Sequence, residues 1–234
     1  MFMFRSGCFV GICDHFDVCF GRVILEKWSP NLKLYAPATK RNREPLLAVL
    51  RSHLPERGTV LEISSGTGQH AAYFTPRLAP LWWLPSDITE SNLSSIEAWC
   101  SEAKTNQLLS PIRLDVTDSP WAVEEMVLPS AVSAIVNFNM LHITPWECCE
   151  ALFLGAERLL QSQGTLILYG PFRKNQRHTA PSNEVFDARL RAQNLCWGIR
   201  DLEAVLEVAK KRHFNCSQVI SMPANNLSLV FQCI

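Results

Sequence analysis

The chain has 234 residues, 47% of them hydrophobic, and carries 22 basic (Lys and Arg) against 22 acidic side chains, for a formal net charge of zero. That length fits one sizeable domain, and neutrality argues against a nucleic-acid binder that works by broad phosphate neutralisation. Its 9 cysteines form no Cys-x-x-Cys pair, which points to reduced thiols in the cytosol or nucleus and away from a disulfide framework.

The first stretch, Met1 to Phe20, is rich in Phe, Val and Cys, but Asp14, His15 and Asp17 interrupt it, so neither a secretory signal nor a membrane span is expected. Cys8, Cys13, His15 and Cys19 match no zinc spacing, and residues 1–34 read as a poorly ordered extension. From residue 35 onward the pattern is regular. Thr39 to His53 carries apolar Leu46, Leu47, Val49 and Leu50 at helical spacing, with Pro45 early. Lys40, Arg41 and Arg43 make the densest basic stretch and read as solvated surface. Thr59 to Ile63 reads as a strand, Gly66-Thr67-Gly68 as a break, and Gln69 to Leu78 as a helix. The alternation repeats with strands at 81–84, 112–114, 131–138 and 164–169, and helices at 89–103, 121–126 and 145–160. A polar segment, Gly170 to Arg200, interrupts the series. A helix at 201–213 and strands at 216–221 and 227–233 close it, the two strands joined by Met222-Pro223-Ala224-Asn225-Asn226. This pattern predicts an α/β fold with an open, mostly parallel sheet, helices on both faces and one antiparallel strand from the final hairpin.

Ligands of such sheets bind at the carboxyl ends of the strands, beside the point where strand order reverses. Polar signals fall at four successive strand ends: Glu62 to Gly68, Asp87, Asp115 with Val116 behind it, and Asn139 to His142. Gly66 and Gly68 let the backbone turn tightly and approach a ligand, and Glu62 just ahead of them suits a cationic group. Asp87 lies about 20 residues past the glycine turn, where a carboxylate accepts hydrogen bonds from ribose hydroxyls; the alternative is a helix N-cap. Asp115 is either an adenine contact or a turn residue. His142 is either a general base where an acceptor would lie or a hydrogen-bonded structural residue, and Asn139 is placed to line the ligand.

Leu61-Glu62-Ile63-Ser64-Ser65-Gly66-Thr67-Gly68 resembles the first motif of class I S-adenosylmethionine-dependent methyltransferases, with Ser64 where the first glycine is usual. More closely, Lys40-Arg41-Asn42-Arg43-Glu44-Pro45, Ser65-Gly66-Thr67-Gly68-Gln69-His70, Trp197-Gly198-Ile199-Arg200-Asp201 and Met222-Pro223-Ala224-Asn225-Asn226 resemble the methyltransferase-like protein 26 family, from about residue 35 to the end. The resemblance implies a Rossmann-like fold with a seven-stranded sheet over 35–234, an insert at about 170–200, and S-adenosylmethionine as cofactor. It carries Glu62, Ser64, Gly66, Gly68, Asp87, Asp115, Val116 and Asn139 over as cofactor positions, with Asn42 and Arg43 closing over the methionine end.

The implied activity is methyl transfer to an unidentified small or medium acceptor. Tyr169, Asn183, Arg200, Asn225 and Asn226 would be the polar lining of the acceptor pocket and His142 the catalytic candidate. Trp197, Arg200 and Asp201 admit a second reading in which they pin the insert to the sheet. The Asn/Asp-Pro-Pro-Tyr motif of amino-methylating nucleic-acid enzymes is absent after the fourth strand, which lowers the expectation of a nucleic-acid substrate. A cytoplasmic monomer without membrane attachment is expected. The competing readings are a non-catalytic S-adenosylmethionine-binding protein acting through a partner, and a nicotinamide-dependent oxidoreductase, for which the third glycine is missing in register.

Overall fold

A computed structural model of the chain describes residues 33–234. The Cys8, Cys13, His15 and Cys19 cluster and most of the expected extension therefore lie outside the described residues. Helix α1 (Pro37–His53) precedes β1 (Thr59–Ile63), α2 (Gln69–Phe74) leads to β2 (Trp82–Asp87), and α3 (Glu90–Glu102) leads to β3 (Ile112–Arg113). Strand β4 (Val132–Phe138), α4 (Glu147–Leu159) and β5 (Thr165–Gly170) continue the alternation. The insert contributes β6 (Phe172–Lys174), β7 (Arg177–His178), α5 (Pro181–Gln193) and β8 (Arg200–Asp201), and the chain closes with α6 (Leu202–Lys211), β9 (Phe214–Met222) and β10 (Asn226–Cys233).

The main sheet has seven strands in the order β3-β2-β1-β4-β5-β10-β9. Strands β1 to β5 pair in parallel, and β10 runs antiparallel to both β5 and β9. This is the expected architecture, with the single antiparallel strand supplied by the hairpin. All five residues of β1 and all six of β5 are buried, as strands covered on both faces must be.

Successive side chains point to opposite faces, so the core divides in two. On one face Val60, Ala134, Val136 and Ile167 meet Leu46, Leu50, Ala71 and Phe74 from α1 and α2. On the other, Leu61, Ile135, Leu166 and Phe231 meet Leu152, Phe153, Ala156 and Val205 from α4 and α6. Phe153 packs edge-on against Phe214 and Phe231, with ring centroids 5.6 and 5.3 Å apart. Truncating a buried Phe of this kind costs about 3–5 kcal/mol.

One local expectation is corrected. The helix expected over 69–78 is α-helical only to Phe74 and tightens into a 3-10 turn at Thr75–Arg77, because Pro76 has no N–H to donate and its ring would meet the preceding turn. The segment at 170–200 is an ordered subdomain, with a small three-stranded sheet in the order β7-β6-β8 beside α5. Only Asn183, Asp187 and Leu190 of α5 are buried. Two of the three are polar, so the buried stripe at positions i, i+4 and i+7 carries no apolar periodicity to announce the helix. Of the extension expected over 1–34, Lys33 and Leu34 are described: Lys33 pairs with Glu102, and Leu34 N donates to Ser95 Oγ at 2.8 Å. No helix among the described residues is long and apolar enough to cross a membrane.

Candidate functional site

Strand order reverses at β1, with β2 and β3 on one side and β4 and β5 on the other. The carboxyl ends of β1 and β4 therefore frame a crevice. A cavity of about 200 Å³ opens there. Its floor is Glu62, Ser64, Ser65, Gly66 and Thr67; one wall is Phe138 at the end of β4 with Asn139, Met140 and Ile143 beyond it; Ala36, Ala38, Thr39 and Asn42 cover it from α1 and the segment before it.

The turn between β1 and α2 explains the spacing of its small residues. Ser64, Gly66 and Gly68 have φ of 58, 58 and 85°, all left-handed. Ser64 thus adopts at the first glycine position an angle that a non-glycine tolerates at moderate cost. A Cβ on Gly66 would meet nothing within 4 Å, whereas one on Gly68 would lie 2.7 Å from Ile96 Cα in the backbone of α3. Gly66 is needed for backbone angle alone, Gly68 for angle and for contact between helices. Asp87, 2% exposed, ties the turn to β2: its Oδ2 accepts from Gly66 N at 2.9 Å, and its Oδ1 accepts from Thr89 N at 3.0 Å and Asn92 Nδ2 at 3.1 Å.

Glu62 is the electrostatic centre. Its side chain is 1% exposed, Oε2 accepts from the Trp83 indole N–H at 2.9 Å, and Oε1 has no partner among the described residues. Burial pushes its carboxyl up to about 7 against the weaker opposing pull of the Trp83 and Ser65 hydrogen bonds, and neighbouring Asp87 adds to the rise. A buried carboxyl with one open oxygen on the floor of a cavity is built to be completed by a cation or donor.

His70, also on the lining, is held in the opposite sense. Burial, aided by Arg43, lowers its imidazole to about 4, so it is neutral. It stacks on Phe74 at 5.2 Å, and its Nε2 lies 2.9 Å from Asn42 Oδ1. With Asn42 as acceptor, the neutral ring donates from Nε2.

The structure thus gathers Asn42, Glu62, Ser64, Gly66 and Asn139 around one cavity. Gly68, Asp87, Asp115 and Val116 stand outside its lining. Asp115 Oδ1 accepts from Thr117 N at 2.9 Å and Thr117 Oγ1 at 2.7 Å, as a turn Asp does. Val116 is buried in the core. Arg43 faces away from the cavity, its guanidinium 4.3 Å from the centre of the Tyr73 ring.

His142 lies on the α4 side of the sheet, 1% exposed, edge-on to Phe172 at 5.2 Å. Burial and, second, Arg200 lower it to about 3, and neither ring nitrogen has a partner among the described residues. Gly170 makes room for it, since a Cβ there would sit 2.2 Å from Nε2. A single polar residue in a short 3-10 turn carries no periodicity from which its facing can be read.

The expected acceptor residues divide. Tyr169 is buried beside Phe138, its phenol raised by burial against the pull of Asn42 and Arg41. Asn225 and Asn226 line a second cavity of about 170 Å³ with Lys174 and Thr179. Asn183 donates to Thr179 Oγ1 at 3.1 Å and to Asn225 O at 3.0 Å, fastening α5 to that loop.

The Arg200 guanidinium donates to main-chain carbonyls: Leu141 O at 2.8 Å, Cys196 O at 2.9 Å, and Thr144 O. Of its two readings, pinning the insert describes these contacts. Arg200→Ala is expected to leave those carbonyls unpaired and cost about 2–3 kcal/mol in urea unfolding. Arg200→Lys should recover little of this, because one ammonium does not reproduce the planar fork.

Residues missed by sequence reading are Ala36, Ala38, Thr39, Asn92, Phe138, Met140 and Ile143. The alanines and the apolar side chains give no chemical signal, and Thr39 and Asn92, the polar ones, sit in helices and belong to no motif. His70 had one, as the last residue of Ser65-Gly66-Thr67-Gly68-Gln69-His70.

A family model described as "Protein of unknown function (DUF938)" matches residues 33–233. Among solved structures, an O-methyltransferase family protein from Burkholderia thailandensis matches with TM-score 0.67 and 16% identity, covering 83% of this chain and 57% of that one. The mitomycin 7-O-methyltransferase MmcR matches with TM-score 0.67 and 10% identity over 84% of this chain and 54% of that one. CalO1, a methyltransferase in calicheamicin biosynthesis in its SAH-bound form, matches with TM-score 0.64 and 13% identity over 82% and 54%. The fold is therefore the Rossmann-like fold of S-adenosylmethionine-dependent methyltransferases. The chain spans a little over half the length of these structures.

Proposed function

The chain belongs to the DUF938 family of proteins of unknown function, and from that premise we propose that it is an S-adenosylmethionine-dependent methyltransferase acting on a small or medium acceptor, of the methyltransferase-like protein 26 type. The observation that carries the reading is Glu62. An incompletely bonded carboxyl, buried on the floor of a cavity at the reversal of strand order, complements the ammonium of an amino-acid ligand.

The residues present fit such a cofactor. The cavity suits its amino-acid end, under Asn42 and over Glu62. The Gly66 and Gly68 turn lets the backbone lie against it. Three internal hydrogen bonds reach the buried Asp87 carboxylate, which fixes the glycine turn against α3 on the side where the ribose would lie. Asp115 keeps Oδ2 open for the adenine side. When bound, S-adenosylmethionine supplies a methyl group activated by its sulfonium.

The chain's own contribution is positioning and exclusion of water, with Asn139, Met140 and Ile143 forming the wall on the acceptor side. A base role for His142 requires its cover by the insert to open, since the ring is enclosed here. The test is transfer of labelled methyl from S-adenosylmethionine to cell extract. A labelled product made by the wild type and not by Gly68→Ala supports the reading. Tight S-adenosylhomocysteine binding with no product in any extract favours a non-catalytic binding protein instead.

A further inference from the structure

Two side chains that border the glycine turn each bond in two directions. Gln69 Oε1 accepts from Thr67 Oγ1 at 3.1 Å, within the turn, and from Ala36 N at 2.6 Å, in the segment that leads into α1. Ser95 Oγ donates to Thr67 O at 2.8 Å and accepts from Leu34 N at 2.8 Å. The same segment is held at its outer side by Trp99, whose indole N–H donates to Leu34 O at 3.2 Å. Ala36, at the end of this bridge, lines the roof of the cavity, and Thr67 lines its floor. Roof and floor therefore share two side-chain oxygens, Gln69 Oε1 as acceptor to both and Ser95 Oγ as acceptor to one and donor to the other, so neither can move without weakening bonds on the other.

We propose that Gln69 and Ser95 are positioning residues that lock residues 33–36 to the glycine turn, so that roofing the cavity and shaping its floor are one event. The proposal rests on the reading of this cavity as the site for the amino-acid end of S-adenosylmethionine. The chemistry makes a specific demand on Gln69. Both of its bonds use Oε1 as acceptor, and its amide N–H groups take part in neither. A carboxylate serves equally well there, and an isosteric apolar side chain does not. Ser95, fully buried, uses its hydroxyl once as donor and once as acceptor, so alanine removes both links with little change of volume.

The experiment is calorimetric titration of S-adenosylhomocysteine into the full chain and its variants, with hydrogen exchange at the Leu34 and Ala36 amides. Gln69→Leu and Ser95→Ala should each weaken binding about tenfold or more, while Gln69→Glu stays within about threefold of wild type. Added ligand should slow exchange at Leu34 and Ala36 in the wild type. If Gln69→Leu does not fold, Ser95→Ala and the exchange measurement decide. Wild-type affinity in the folded variants, or ligand binding without protection at 34–36, overturns the proposal. Failure of the wild type to bind at all overturns the reading of the cavity itself, and the proposal with it.

Discussion

Gly68→Ala is expected to destabilise the protein by about 2–4 kcal/mol and to weaken S-adenosylhomocysteine binding about a hundredfold. Two costs combine. At φ 85° an L-residue is strained, and the new Cβ would lie 2.7 Å from Ile96 Cα. That neighbour is helix backbone, so α3 must shift, and Asn92 and Ser95 on α3 are the groups that hold Asp87 and the turn. Gly66→Ala is the control: at φ 58° with open space around it, it should cost only about 1–2 kcal/mol. Urea unfolding and calorimetry on the two variants separate them. Equal stabilities would contradict the assignment of Gly68 to close packing.

Ligand affinity is expected to fall more than about tenfold between about pH 7 and about pH 5, through Glu62. In the free protein burial holds this carboxyl at about 7, so acid fills the site with a proton. A ligand ammonium favours the ionised form, so below pH 7 binding must expel that proton, and affinity drops as pH falls. The proton release shows as a dependence of binding heat on the ionisation enthalpy of the buffer.

The sign for stability is the reverse. A carboxyl raised above its unfolded value of about 4.5 contributes stability that is fully present below that value and is lost as pH rises through about 7. Glu62→Gln should flatten both profiles and weaken binding at pH 7. An affinity independent of pH in the wild type would remove Glu62 from the ligand's surroundings.

Much of this was legible from residues alone, because it rests on periodicity. Apolar runs such as 131–138 announce buried parallel strands, and their ends put Glu62, Asp87, Asp115 and Asn139 at one edge of the sheet. What stayed hidden depends on facing and on partners. Helix α5 buries Asn183 and Asp187 where an amphipathic helix would bury apolar groups, so its stripe is silent. His142 turns toward Phe172 and away from the cavity, a choice made by the room at Gly170. Arg200 could be a ligand contact or a clamp by type, and only the carbonyls of Leu141, Thr144 and Cys196 around it separate the two. Ser64 stands where the first glycine is usual, and its φ of 58° is one that serine can hold.

In the proposed function the cavity over Glu62 receives S-adenosylmethionine. Calorimetric titration of S-adenosylhomocysteine into the wild-type chain and into Glu62→Gln at pH 7 tests it most directly. Saturable binding at one site per chain is expected in the wild type, weakened in the variant while its melting temperature holds. Saturable binding of NAD with none of S-adenosylhomocysteine, or equal affinity in both proteins, would contradict it.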